Sequence, residues 1–114
     1  MRDTRPIVWL KGARRDFEAF PLPAQDRALE ALTAVAERRR PDIAKPMTGL
    51  GSGVWELAIK ERGGAYRVVY ALQLADEIWV VHAFQKKSKS GIATPKTEID
   101  LIKARLKRLK EDMK

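Results

Sequence analysis

"VWELAIKERGGAYRVVY", residues 54–70, is the stretch on which the fold turns. Two runs of alternating character flank Gly63 and Gly64, the pattern of a half-buried β-hairpin closed by a glycine turn. A two-residue turn at Gly63-Gly64 pairs Arg62 with Ala65, Lys60 with Arg67, Ala58 with Val69 and Glu56 with Ala71. Alternation across the sheet then gives a core face of Trp55, Leu57, Ile59, Tyr66, Val68, Tyr70 and Leu72. The other face is apolar at one end, with Val54, Ala58, Val69 and Ala71, and cationic near the turn, with Lys60, Arg62 and Arg67. Like charges directly opposite on neighbouring strands repel, so Lys60 facing Arg67 calls for a counter-charge such as Glu56 or an anionic ligand.

A third strand over residues 77–85, entered through a turn at Ala75-Asp76, extends this pattern. It sets Phe84 beside Arg67 and His82 beside Val69, and brings Lys86 and Lys87 to the same edge. Upstream, "RPIVWL" (residues 5–10) reads as a first strand and "GARRDFEAF" (12–20) as a short helix ending before Pro21. Pro23 suits the first turn of a longer helix whose Leu29, Leu32, Val35 and Ala36 recur at helical spacing, closed by "ERRRPD" (37–42). "PDIAKPMTGLGSG" (41–53) reads as an exposed connection between the helical and sheet halves. Its "GLGSG" precedes a strand rather than opening a helix, which argues against a phosphate loop. Thr94 and Pro95 mark the start of a last helix, with Ile99, Ile102, Leu106, Leu109 and Met113 on one stripe and Lys103, Arg105, Lys107, Arg108 and Lys110 over the rest.

The chain of 114 residues fits one domain, 1–114, of class α+β, in the order β-α-α-β-β-β-α. Its 23 Lys and Arg against 15 Asp and Glu give a net charge of +8, and its pI near 10.0 favours an anionic partner such as nucleic acid, with a basic protein that contacts none as the equal alternative from composition. There is no cysteine, which removes disulfides and thiolate chemistry and fits a cytoplasmic home. One histidine without cysteine excludes the common zinc sites, and no apolar run is long enough to span a membrane. One chemistry open to such a cationic surface is cleavage of RNA by its own 2′-hydroxyl, with cations stabilising the charge that develops on phosphorus; the alternative is that these are ordinary solvated strand charges. Arg67 suits the phosphate as a fixed, permanently charged fork, and Lys60 or Lys86 can add charge or move a proton. His82 has the ordinary titration range of a base, but its place in "IWVVHAF" favours a packed, hydrogen-bonded strand histidine.

"WELAIKERGGAYRVVYAL" (55–72) and "IWVVHAFQKKSKSGIATPKTEIDLIKARLKRL" (78–109) resemble the HigB-like, phage-derived branch of the RelE/ParE toxin superfamily of bacterial type II toxin-antitoxin systems. The resemblance implies a compact RelE/ParE-like fold, with an antiparallel sheet, two N-terminal helices and a C-terminal helix. It also implies ribosome-dependent, metal-independent cleavage of mRNA without a cofactor. Carried over to this chain, Arg67 is the phosphate-stabilising strand arginine, with Lys60 and Lys86 assisting it in catalysis. Arg62, Lys87, Lys89 and Phe84 are the expected substrate contacts, and Glu56 and His82 further members of the site. Expected partners are the ribosome, mRNA and a cognate helix-turn-helix antitoxin in a heteromeric complex. ParE-like inhibitors of DNA gyrase share the fold, so gyrase inhibition, or RNA binding without catalysis, stands as the alternative.

Overall fold

A computed structural model of the chain describes residues 4–74, 76–86 and 94–113. It contains three helices and a five-stranded mixed sheet. The elements are β1 (Ile7–Trp9), α1 (Lys11–Glu18), α2 (Leu22–Ala36), β2 (Ala44–Pro46), β3 (Val54–Glu61), β4 (Gly64–Leu74), β5 (Glu77–Lys86) and α3 (Lys96–Asp112). Across the sheet the strands run β1-β5-β4-β3-β2. The α+β class and the order of the major elements are those expected. Two details differ: β1 lies parallel to β5, and the connection over residues 41–53 contains the short strand β2, antiparallel to β3.

The helices pack on opposite faces of the sheet. One core joins α1 and α2 to Leu57, Ile59, Tyr66, Val68 and Tyr70; the other joins α3 to Val54, Val69, Ala71, Val81 and Phe84. Helix α2 turns Ala24, Ala28, Ala31, Leu32 and Val35 inward, and its small residues bring its backbone close to the sheet. Leu29, expected on that stripe, lies off it and is 43% exposed. In α3 the stripe of Ile102, Leu106 and Leu109 is buried, whereas Met113, at the C-cap, is 39% exposed.

Helix α2 ends in a Schellman motif: the Arg38 N–H bonds to the Val35 carbonyl and the Arg39 N–H to the Ala34 carbonyl. Arg38 takes the left-handed position usually given to glycine, at φ 63°, which costs about 1–2 kcal/mol for a side-chain-bearing residue. From there its guanidinium reaches both carboxylate oxygens of Asp76, at 3.2 and 2.8 Å. That pairing holds the Asp76 carboxyl below the usual carboxylate range and ties the helix end to the β4–β5 turn.

The hairpin register departs from expectation by two residues. Gly63 occupies the second turn position at φ 82°, where a left-handed backbone is needed, and Gly64 already belongs to β4. The turn is therefore Arg62-Gly63, and Glu61 pairs with Gly64, Lys60 with Ala65, Ala58 with Arg67 and Glu56 with Val69. Lys60 does not face Arg67. A two-residue slip leaves every side chain on its expected face, so the division into core and cationic faces survives while the direct Lys60–Arg67 opposition does not. The next pairing agrees with expectation: Arg67 lies opposite Phe84 and Val69 opposite His82.

Strand β4 is buried on both faces, and Tyr70, only 1% exposed, carries a phenol whose pKa burial pushes up to about 12. The unfolded chain loses this proton near pH 10 and the folded chain only near 12, so stability is unaffected below pH 10 and falls as pH rises between those values. Urea denaturation from pH 9 to 12 should show the wild type losing about 2–3 kcal/mol relative to Tyr70→Phe.

Candidate functional site

The face of the sheet beneath α3 forms a grid whose rows follow from strand pairing. Nearest the hairpin turn are Lys60, Ala65 and Lys86; the next row is Ala58, Arg67 and Phe84; the third is Glu56, Val69 and His82. Helix α3 packs on Val54, Val69, Ala71 and Phe84, toward the opposite end from the turn. The three residues expected to be catalytic, Arg67, Lys60 and Lys86, therefore share one face in adjacent rows. Ala65 separates the two lysines.

Arg67 and Lys86 are both buried despite their charge. Burial of a guanidinium requires partners. Arg67 Nε lies 3.5 Å from Glu56 Oε1, and its Nη1 donates to the Tyr66 carbonyl at 3.2 Å. The counter-charge that the sequence demanded is thus Glu56, one row along the sheet, itself buried. Thr94, just before α3, donates its hydroxyl to Glu56 Oε2 at 2.7 Å. Thr94 does not cap the helix: Pro95 stands at the cap position, and no side chain caps this end. A threonine before proline reads as a helix start from sequence, and only the fold shows that its hydroxyl is turned to the sheet.

His82 is the packed strand histidine expected. Its Nε2 is 2.8 Å from Glu98 Oε1, and its Nδ1 is 3.0 Å from Arg105 Nη1. A guanidinium only donates, so Nδ1 accepts and the ring proton sits on Nε2, donated to Glu98. The ring stacks on Phe84 with centroids 5.1 Å apart. Arg105 Nη1 also reaches the Val81 carbonyl at 2.9 Å. Gly12 of α1 leaves room for it, since a Cβ there would lie 2.6 Å from Arg105 Nη2. Arg105 was expected among the solvated cations of α3, and helical periodicity alone carries no sign that one of them turns inward.

Phe84 also borders an open groove of 620 Å³ between the end of α1, β5 and the start of α3, with Phe20, Tyr66, Gln85, Glu98 and Leu101 among its walls. Arg62 is exposed at the hairpin turn, and Glu61 pairs with Arg27 of α2 at 3.5 Å. Lys87 and Lys89 lie outside the described residues. Among the described residues no group of three His, Asp or Glu side chains gathers that could hold a metal ion, and no helix is long and apolar enough to cross a membrane.

The architecture is that of RelE. The Escherichia coli toxin RelE, solved as a mutant in the free state, superposes with a TM-score of 0.61 at 15% identity, covering 92% of this chain and 97% of that one. A chain of the toxin-antitoxin complex RelBE2 from Mycobacterium tuberculosis gives a TM-score of 0.53 at 17% identity, over 77% of this chain and 98% of that one. No curated protein sequence matches. The family model for phage derived protein Gp49-like matches residues 15–107, and the chain belongs to that family. This is the phage-derived branch to which the hairpin and β5–α3 motifs pointed.

Arg105 is the polar pin between α3 and the sheet, and Arg105→Met keeps its bulk while removing both bonds. The exchange leaves the Val81 carbonyl and His82 Nδ1 without their donor, at a cost of about 3 kcal/mol. Urea denaturation should show that loss, with faster amide exchange along α3 than along β4.

Proposed function

We propose that the chain is the toxin of a type II toxin-antitoxin pair and cleaves mRNA on the ribosome. The observation that carries this reading is Arg67: a buried arginine, paired with a carboxylate, on the strand between those that carry Lys60 and Lys86 and one row along the sheet from both. Membership of the Gp49-like family and the RelE fold support it.

In this mechanism the scissile phosphate displaces Glu56 from Arg67. The RNA 2′-oxygen bonds to phosphorus as the bond to the 5′-oxygen breaks, leaving a 2′,3′-cyclic phosphate and a 5′-hydroxyl. Arg67 holds the phosphoryl oxygens as their negative charge grows, and Lys60 and Lys86 strengthen that field. Glu56, released as phosphate takes its place, is the carboxylate nearest to receive the 2′-hydroxyl proton, and the departing 5′-oxygen takes up a proton in turn. No bound metal or cofactor is required by this route. A protein of this activity needs a silencing partner, and the proposed one is an antitoxin, as in the RelBE2 complex.

Arg67→Ala should lower the rate of message cleavage by roughly 10²–10³-fold, the usual effect of removing a preorganised charge from a developing anion. Primer extension of mRNA ends after induction reads the cleavage, and circular dichroism confirms the fold. Arg67→Lys, which keeps the charge beside Glu56, provides a variant with a smaller packing change and should recover only part of the rate. A folded Arg67→Ala protein that cuts message at the wild-type rate removes Arg67 from this role. Intact message together with blocked DNA supercoiling by purified protein would instead place the chain with the gyrase inhibitors.

A further inference from the structure

Away from Arg67, the far end of α3 meets the β2–β3 connection around a small open pocket of 290 Å³. Leu50 and Leu106, both buried, form its floor, and Lys103, Lys107 and Lys110 form its rim beside Gly49. The three lysines are exposed, and none has an ion pair or hydrogen bond among the described residues. They stand at i, i+4 and i+7 of one helix, where like charges repel. Lys110, in the last turn, suits the helix C-terminus, but neither that nor the apolar stripe of α3 accounts for Lys103 and Lys107 beside it. Across the pocket the backbone is left-handed at Gly49 (φ 81°) and Gly51 (φ 91°), and a Cβ added to Gly49 would meet nothing within 4 Å. The mouth is therefore open on the side facing the lysines.

We infer that this pocket is a second docking site, for the phosphodiester backbone of RNA, separate from the arginine that faces the scissile bond. The inference rests on the RNA reading above. Thr94, bonded to Glu56 beside Arg67, precedes Lys107 by thirteen residues of mostly helical chain, which places the rim roughly 20 Å along α3 from that site. The two sites therefore hold different stretches of RNA. Three charges in one row, unpaired among the described residues, fit a polymer that carries one negative charge per nucleotide better than a single acidic side chain, and the net charge of +8 favours the same partner. The leucine floor excludes a deeply buried anion, so the contacts are made at the rim, with phosphate oxygens exposed to water on one side.

The test is fluorescence anisotropy of the full chain with a labelled single-stranded RNA oligonucleotide of mixed sequence, over a range of salt concentrations. The combined Lys103→Gln, Lys107→Gln and Lys110→Gln variant should bind at least about 10-fold more weakly at low salt, with a slope of log K against log salt shallower by about 2. A control of equal charge change on α1, Lys11→Gln, Arg14→Gln and Arg15→Gln, should move both quantities much less. Unchanged affinity and slope in the α3 variant overturn the inference whether or not the wild type cuts message. Equal losses in the two triple variants reduce the effect to net charge and overturn it as well, as does a wild type that fails to bind the oligonucleotide. Polyglutamate binding as tightly as the RNA at equal charge concentration reassigns the pocket to an acidic protein. Loss of ribosomal cleavage in Arg67→Ala, with the α3 slope difference intact, separates the two sites. Failure of the cleavage reading alone leaves that slope difference in place.

Discussion

Burial of β4 on both faces is the constraint from which the arrangement of this protein follows. Val68 and Tyr70 point into the core shared with α1 and α2, while Val69 and Ala71 point into the core beneath α3. A strand so enclosed tolerates a charge only where its partner is enclosed with it. Arg67 is that charge, and Glu56 on the neighbouring strand is the partner. The pairing consumes stability that apolar residues of similar volume would supply without desolvation. A buried ion pair at the margin of a core is therefore better explained by what the arginine does than by what it stabilises.

The same enclosure explains what could be read from the sequence. Period-two alternation reports which face a residue occupies, and an error of one residue would have turned Leu57, Ile59, Val68 and Tyr70 outward. An error of two turns nothing outward, so the pattern is blind to it. Hence the core face was legible, as were the Arg67–Phe84 and Val69–His82 neighbours, but Lys60 was set opposite the wrong residue. The choice between Arg62-Gly63 and Gly63-Gly64 rests on backbone dihedrals, and both dipeptides are acceptable turn chemistry. Strand β2 was missed because three residues, one of them Pro46, carry no periodic signal. The parallel placement of β1 was likewise out of reach, since its partner strand is distant in the chain.

At the site, the residues legible in advance were those whose chemistry contradicted their surroundings: cations on a strand, and a lone histidine in an apolar run. Thr94 and Arg105 escaped notice because each has an ordinary local explanation, one as a helix start and the other as a surface cation. Together with Glu98, which accepts from His82, their contacts join α3 and the turn before it to the sheet by polar means, at Glu56 and at His82. Packing of Ile102, Leu106 and Leu109 supplies the adhesion, and these directional bonds supply the register.

Residue 7 pairs with residue 78, so the first strand has no place to lie until β5 exists. During synthesis the N-terminal strand must wait for most of the chain, and the α2 alanine face can settle only once β3 and β4 have emerged. Helix α3 follows them, preceded by the threonine whose hydroxyl bonds to Glu56 beside Arg67. A nascent chain therefore has no assembled Thr94–Glu56–Arg67 cluster until the segment that leads into α3 is made. Truncation anywhere before Thr94 yields a product that lacks the clasp as well as the second lysine rim.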